Sequence, residues 1–246
     1  MKTVFLQPAF ILQYQKYRET SLLMDVFTQD FGTLAVLAKG VRTPKSKTAA
    51  LLQPFVPLHI SYLGNTGLSI LTDAQTRPPA FALQGLALYC GFYANELVGR
   101  FLHKHDPHPE IFAAYRDCLA ALAGNTNIEA ALRRFELELI QHVGYGFDWA
   151  CDSHNQAIEP QKNYLYQPEQ GLVASAQGWI SGLTLQAIAV RQFTTPQALT
   201  EAKRLTRAVI DSHLQGRPLK SRAVIAQIIK IQRSNNPLLY SEIKQD

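Results

Sequence analysis

The sequence predicts an α+β protein: a small all-β barrel followed by a mostly helical domain that carries a short irregular or hairpin segment. Three observations support this. Residues 3–75 hold about five runs rich in β-branched and aromatic residues, separated by Gly, Asn and Asp turns. "RPP" at 77–79 reads as a linker, and beyond it the apolar spacing becomes helical. Residues 147–181 then lose that periodicity before helices resume. The boundaries are 1–79 for the barrel and 80–246 for the helical domain.

The strands in order are "TVFLQPAFILQY", "SLLMDVFTQD", "GTLAVLAKG", "PFVPLHISYL" and "LSILTDAQ". Five strands of this length suit an OB-fold, a scaffold that often binds oligonucleotides, and an SH3-like barrel would look alike at this level. In the first helix, Leu83, Leu86, Cys90, Tyr93, Leu97 and Phe101 recur at helical spacing. The second runs from Pro109 to Gly124, the residue types favoured at helix start and end. The third places Leu132, Phe135, Leu139 and Val143 on one stripe, with Asn127 as N-cap and Glu129 in the first turn. "NYLYQPEQGLVAS" reads as a hairpin turning at "PEQG". "LTLQAIAVRQF", "PQALTEAKRLTRAVIDSHLQG" and "SRAVIAQIIKIQ" read as helices, the last two basic and amphipathic.

The composition, 47% apolar and 17% charged, is that of a globular protein long enough to bury a core. Gln7 and Pro8 interrupt the apolar N-terminus, so a signal peptide is not expected, and no run is long enough to span a membrane. Cys90, Cys118 and Cys151 make no disulfide framework, which suits the cytoplasm. Charge is uneven: residues 1–80 carry eight Lys and Arg against four Asp and Glu, 81–159 five against ten, and 160–246 eleven against five. Basic ends around an acidic middle fit a polyanion partner, or else an ordinary solvated surface.

No catalytic constellation emerges. There is no P-loop, no G-x-S-x-G and no H-E-x-x-H. His103, His105 and His108 cluster in "LHKHDPH", where a solvated helix end explains them better than a metal. Cys151 and His154 have half of a zinc spacing without a second pair. Glu129 and Arg133, and Arg134 and Glu138, are spaced as i,i+4 ion pairs. An enzyme, a cofactor and a small-molecule substrate are therefore not expected. The cationic connection after Leu37 remains: Lys39, Arg42, Lys45 and Lys47 with no acid among them. Long basic side chains at a barrel rim suit phosphates, with Tyr14, Tyr17, Phe27 and Phe31 either stacking platforms or core. Lys203 and Arg207, on one helix face, and Arg217, Lys220 and Arg222 in "GRPLKSR" would extend a phosphate track or simply be solvated.

"ETSLLMDVFTQDFGTLAVLAKGVRTPKSK", "LQPFVPL", "LYCGFYANEL", "ALRRFELELIQHVGYG" and "GRPLKSR", in this order and spacing, resemble the RecO family of bacterial recombination mediators. The resemblance implies an OB-fold, a helical domain and no turnover of ATP. It implies binding of single- and double-stranded DNA, annealing of complementary strands, and action with RecR to load RecA on strands coated by single-strand-binding protein (SSB). The location implied is the cytoplasm, in association with the nucleoid. It places Lys39, Arg42, Lys45 and Lys47 on a positive barrel loop. It also assigns Arg133, with Leu137 one turn on, to the acidic C-terminal tail of SSB. Some members carry four cysteines near Cys151. Here Cys151 stands without the other three, so no metal is carried over and packing is expected to replace it.

Overall fold

The structure, a computed structural model, describes residues 2–43, 46, 48–64, 67–124, 127–214 and 216–235. Five strands, β1 (Lys2–Tyr17), β2 (Ser21–Thr28), β3 (Gly32–Ala38), β4 (Leu58–Gly64) and β5 (Leu68–Thr76), close in the order β1-β2-β3-β5-β4. Neighbours are antiparallel except β3 and β5, which is the arrangement of an OB-fold.

β1 runs through Pro8, as the sequence reading has it, and extends beyond the expected Thr3–Tyr14 at both ends. Pro8 faces His59 across the β1–β4 ladder, and its carbonyl accepts from the Gln29 amide at 3.1 Å. A bulge between Val4 and Gln7 takes up the irregularity, with Leu6 at φ 48° and its amide donating to Ser61 Oγ.

Three helices follow, α1 (Gly85–Phe101), α2 (Pro109–Ala123) and α3 (Ile128–His142). The Asn127 side chain accepts from the Ala130 amide, as the N-cap expectation requires. The irregular segment holds the expected hairpin, β6 (Asn163–Gln167) and β7 (Gly171–Ala174), plus a two-residue β8 (Ile180–Ser181) on the other edge of β6. Then come α4 (Gly182–Ala189), α5 (Pro196–His213) and α6 (Lys220–Asn235). The Cys151 turn is closed by the Asp152 carboxylate, which accepts from the His154 and Gln156 amides at 2.9 Å each. Those two bonds, opposed by a smaller desolvation, hold its pKa below the usual carboxylate range.

The barrel and helices share a core. Ala9, Phe10, Ile11 and Leu12 are consecutive on β1 and all buried, so both faces of this strand are covered. Ala9 and Ile11 point into the barrel, whereas Phe10 and Leu12 join the core of the helices together with Phe27 and Phe55. Phe10 lies 5.4 Å from Phe112 and 5.1 Å from Tyr115, and Phe27 lies 5.2 Å from Phe112, ring centre to ring centre. Inside this seam Asn95 donates to the Leu12 carbonyl at 2.7 Å and accepts from the Tyr115 hydroxyl at 2.5 Å.

A second seam explains "LHKHDPH". The His105 amide donates to the Thr33 carbonyl at 3.0 Å, and Thr33 Oγ1 donates to the His103 carbonyl at 3.2 Å. Gly32, at φ +65°, packs so closely on this segment that a Cβ would sit 2.2 Å from the Asp106 carbonyl oxygen.

Two substitutions should grade these seams. Asn95→Ala leaves the Leu12 carbonyl and Tyr115 hydroxyl buried without partners and should lower unfolding free energy by about 1–3 kcal/mol. Phe10→Ala, which empties the aromatic contact, should cost about 3–5 kcal/mol. Urea titration measures both, and a loss under about 0.5 kcal/mol for either would mean the seam is not structural.

Candidate nucleic-acid interface

The meander β1-β2-β3 returns the chain, after Ala38, to the end of the barrel that carries the β1–β2 turn. Gly40, at φ +68°, makes the exit turn. The Arg42 amide then donates to the Thr20 carbonyl at 2.8 Å, and Arg42 Nη1 donates to the Arg18 carbonyl at 3.2 Å. Thr43 Oγ1 donates to the Gly40 carbonyl at 3.0 Å, and Val41 is buried as an anchor. Two connections that are about 20 residues apart in sequence are thus joined. Lys16, Arg18 and Lys39 are exposed there and Arg42 is half-buried, with one acid, Glu19, beside them. Lys45 and Lys47 lie outside the described residues.

Of the four candidate stacking aromatics, Phe27 is core and Phe31 is half-buried against Tyr62, with the Lys2 ammonium 5.1 Å from its ring centre. Tyr17 remains at the basic end, opposite Ser21, and Tyr14 lies further along β1, opposite Met24. Tyr14 is 45% exposed, and the Arg18 guanidinium sits 5.4 Å from the Tyr17 ring centre.

The C-terminal cations do not form one free track. Lys203 reaches Glu129 at 2.9 Å, and Arg207 lies 3.7 Å from Asp211. Both remain more than half exposed, so these are weak surface pairs. Arg222 is turned inward: it bonds Asp211 and lies 5.8 Å from the Tyr93 ring centre. Arg217 and Lys220 are exposed. The backbone of "GRPLKSR" has a structural task, since the Lys220 and Ser221 amides, at the start of α6, donate to the Glu96 carboxylate at 2.9 and 2.8 Å. Burial alone would raise the Glu96 pKa. The donated hydrogen bonds from Ser221 and Lys220, with Arg100 nearby, outweigh it and hold the group below its ordinary value.

Arg133 and Leu137, expected to meet a docked tail, both lie on the packed side of α3. Arg133 is 5% exposed and Leu137 fully buried, so in this conformation they form no rim for a docked peptide. The reason is Glu136, itself 1% exposed, which bonds Arg133 and accepts from the Tyr93 and Thr206 hydroxyls. Burial pushes the Tyr93 hydroxyl well above its usual pKa, and the neighbouring Glu136 pushes it further. Arg133 therefore does not pair with Glu129, which Lys203 takes instead. Nor does Arg134 pair with Glu138. Arg134, which is exposed, donates to the Arg191 carbonyl at 3.1 Å, and Arg191 takes Glu138 at 2.8 Å.

Sequence reading missed Lys16 and Arg18, in "YQKYRET". The available signal was topological: in a three-stranded meander the first turn and the exit of the third strand lie at one end. Among the described residues no group of three or more His, Cys, Asp and Glu is placed to hold a metal. Among them, too, no helix is long and apolar enough to cross a membrane.

Comparison with known proteins bears on this arrangement. Residues 1–79 match the family model described as recombination protein O N terminal, and 82–223 the one described as recombination protein O C terminal. Similar curated proteins, each named DNA repair protein RecO, include one from Methylococcus capsulatus, 45% identical over 222 residues that cover 89% of this chain and 92% of the relative. One from Photobacterium profundum is 41% identical, covering 88% and 94%. One from Vibrio atlanticus is 38% identical, covering 94% and 97%.

Two expectations follow from the buried and capping carboxylates. Glu136→Ala leaves the Arg133 charge buried without its partner and should cost about 3–5 kcal/mol in urea unfolding, whereas an effect near zero would show that Arg133 is solvated. Glu96 has a depressed folded-state pKa, so its contribution is complete above its ordinary pKa and is lost as pH falls through the lower folded value. Hydrogen exchange at the Lys220 and Ser221 amides should therefore accelerate in acid beyond the intrinsic rate, and Glu96→Gln should abolish that extra dependence.

Proposed function

The chain belongs to the RecO family of DNA repair proteins, and on that premise we propose that it binds DNA phosphates at the basic end of the barrel and anneals complementary strands. The observation that carries this reading is the pair of bonds from Arg42 to Thr20 and Arg18, which gathers the β1–β2 turn and the β3–β4 connection at one barrel end. Exposed Lys16, Arg18 and Lys39 there can neutralise phosphate, and Tyr17 supplies a face for an unpaired base. Lys45 and Lys47 belong to the same connection by sequence. Lys203, Arg207, Arg217 and Lys220, at the protein surface, form a second and weaker set, from which inward-facing Arg222 drops out.

Annealing needs no bond making. Two strands whose phosphates are partly neutralised and whose bases are held unstacked repel less and pair faster, without nucleotide hydrolysis. The full proposed role is that of a mediator acting with RecR to load RecA on SSB-coated strands, at the nucleoid in the cytoplasm. An acidic tail of SSB would meet Arg134 on the outside of α3 in place of interior Arg133.

Charge reversal tests the reading. If about four cations contact phosphate, the log–log salt slope for a single strand should be near −3. Reversing Lys39, Arg42, Lys45 and Lys47 to Glu should abolish annealing of SSB-coated oligonucleotides without ATP. Unchanged annealing and a slope near zero would instead identify an adaptor that contacts only proteins.

A further inference from the structure

A cleft of about 1210 Å³ opens where the barrel meets the helices. Its barrel wall is Leu12, Gln13 and Tyr14 of β1, and the facing wall includes Phe92 and Arg100 of α1, Lys104 of the α1–α2 connection and Lys220 of α6. Gln53 and Pro54 complete it, because the end of the β3–β4 connection folds back on β1 through an Ile11–Pro54 bridge.

The two carboxylates in the lining are already engaged. Asp25 accepts from Gln13 Nε2 at 2.6 Å. Glu96 takes the Lys220 and Ser221 amides and has Arg100 at 3.7 Å. Lys104 and Lys220 are exposed, and among the described residues neither has an acid within ion-pair distance. With Arg100, Lys104 and Lys220 against Asp25 and Glu96, the cleft carries a net positive charge of one. It also presents two large aromatic surfaces: Tyr14 is 45% exposed, and Phe92 is 42% exposed and braced from one side by Phe55 at 5.0 Å.

Position along β1 decides the occupant. Tyr14 at the cleft and Arg18 at the basic end are four residues apart on one strand and its turn, a span of about 13 Å at ~3.3 Å per residue. Lys16 lies between them, and Arg42 is bonded to Arg18 at the far end. Cations and aromatic faces thus follow one another from the barrel end into the cleft, the combination that tracks a sugar–phosphate backbone while stacking its bases.

We propose that the cleft is a second subsite for single-stranded DNA, continuous with the basic end of the barrel: Tyr14 and Phe92 receive unpaired bases while Lys104 and Lys220 take phosphates. This rests on the reading that the barrel end binds DNA. A strand held at both places is kept extended and unpaired over its length, ready for a complement arriving from solvent.

The test uses the full chain and oligothymidylates of increasing length. Lys104→Glu/Lys220→Glu should weaken long oligonucleotides and make their salt slope shallower by about 1.4, two phosphate contacts at ~0.7 each. The shortest oligonucleotides, which fill only the barrel end, should keep wild-type affinity, whereas Arg18→Glu/Lys39→Glu should weaken every length. In the unaltered protein, bromodeoxyuridine-substituted strands should photo-crosslink to Tyr14 or Phe92. The proposal is overturned if the cleft variant binds every length like wild type and adducts appear only in residues 16–20 and 39–48. It is equally overturned if that variant loses an acidic peptide while keeping DNA. In both cases a loss with Arg18→Glu/Lys39→Glu leaves the barrel-end reading standing, and no loss with either variant removes both.

Discussion

The burial of both faces of β1 is the constraint on which the rest of the structure depends. A barrel of this size ordinarily keeps one face of each strand in water, yet Phe10 and Leu12 leave the barrel interior to Ala9 and Ile11 and enter the core of the helices. A polar pin is set into that apolar seam: Asn95 joins the Leu12 backbone to the Tyr115 hydroxyl. Buried amides are tolerated when their donors and acceptors are met, and a met one fixes geometry that apolar contacts leave free to slide. The barrel is thereby held in one orientation, and the cleft beside β1 has defined walls.

The disposition of charge follows from the same packing. Two cations turned into the junction of helices are each drawn to an acid, Arg133 to Glu136 and Arg222 to Asp211. Cations on the barrel end have no such helices around them and stay in water. The basic residues that remain free for a polyanion are therefore selected by topology. A uniform basic surface would bind phosphates without direction, whereas a basic end leading along one strand into a cleft gives a path with a beginning and an end.

Much of the fold was legible because it is written locally. The switch of period after "RPP", Asn127 before the third helix and "PEQG" in the hairpin each act within a few residues. What was not legible came from long-range partners. The first strand was expected to end at Tyr14, but its ladder with β2 continues to Tyr17 opposite Ser21. Arg133 looked like a surface cation by its i,i+4 spacing, but Glu136 at i+3, with Tyr93 and Thr206 from other helices, takes it inside. Lys16 and Arg18 were passed over because their neighbours at the site come from a different connection. Spacing reveals faces of single elements; it does not reveal which faces meet.

The central claim is that the joined connections at the barrel end are where DNA is held. Hydrogen exchange of the whole protein, with and without a single-stranded oligonucleotide, tests it most directly. The account predicts slowed exchange at the amides of residues 16–20 and 39–43 in the complex, with Arg42, bonded to Thr20, among them. Protection confined to the helices, with both of these segments exchanging as in the free protein, would contradict it.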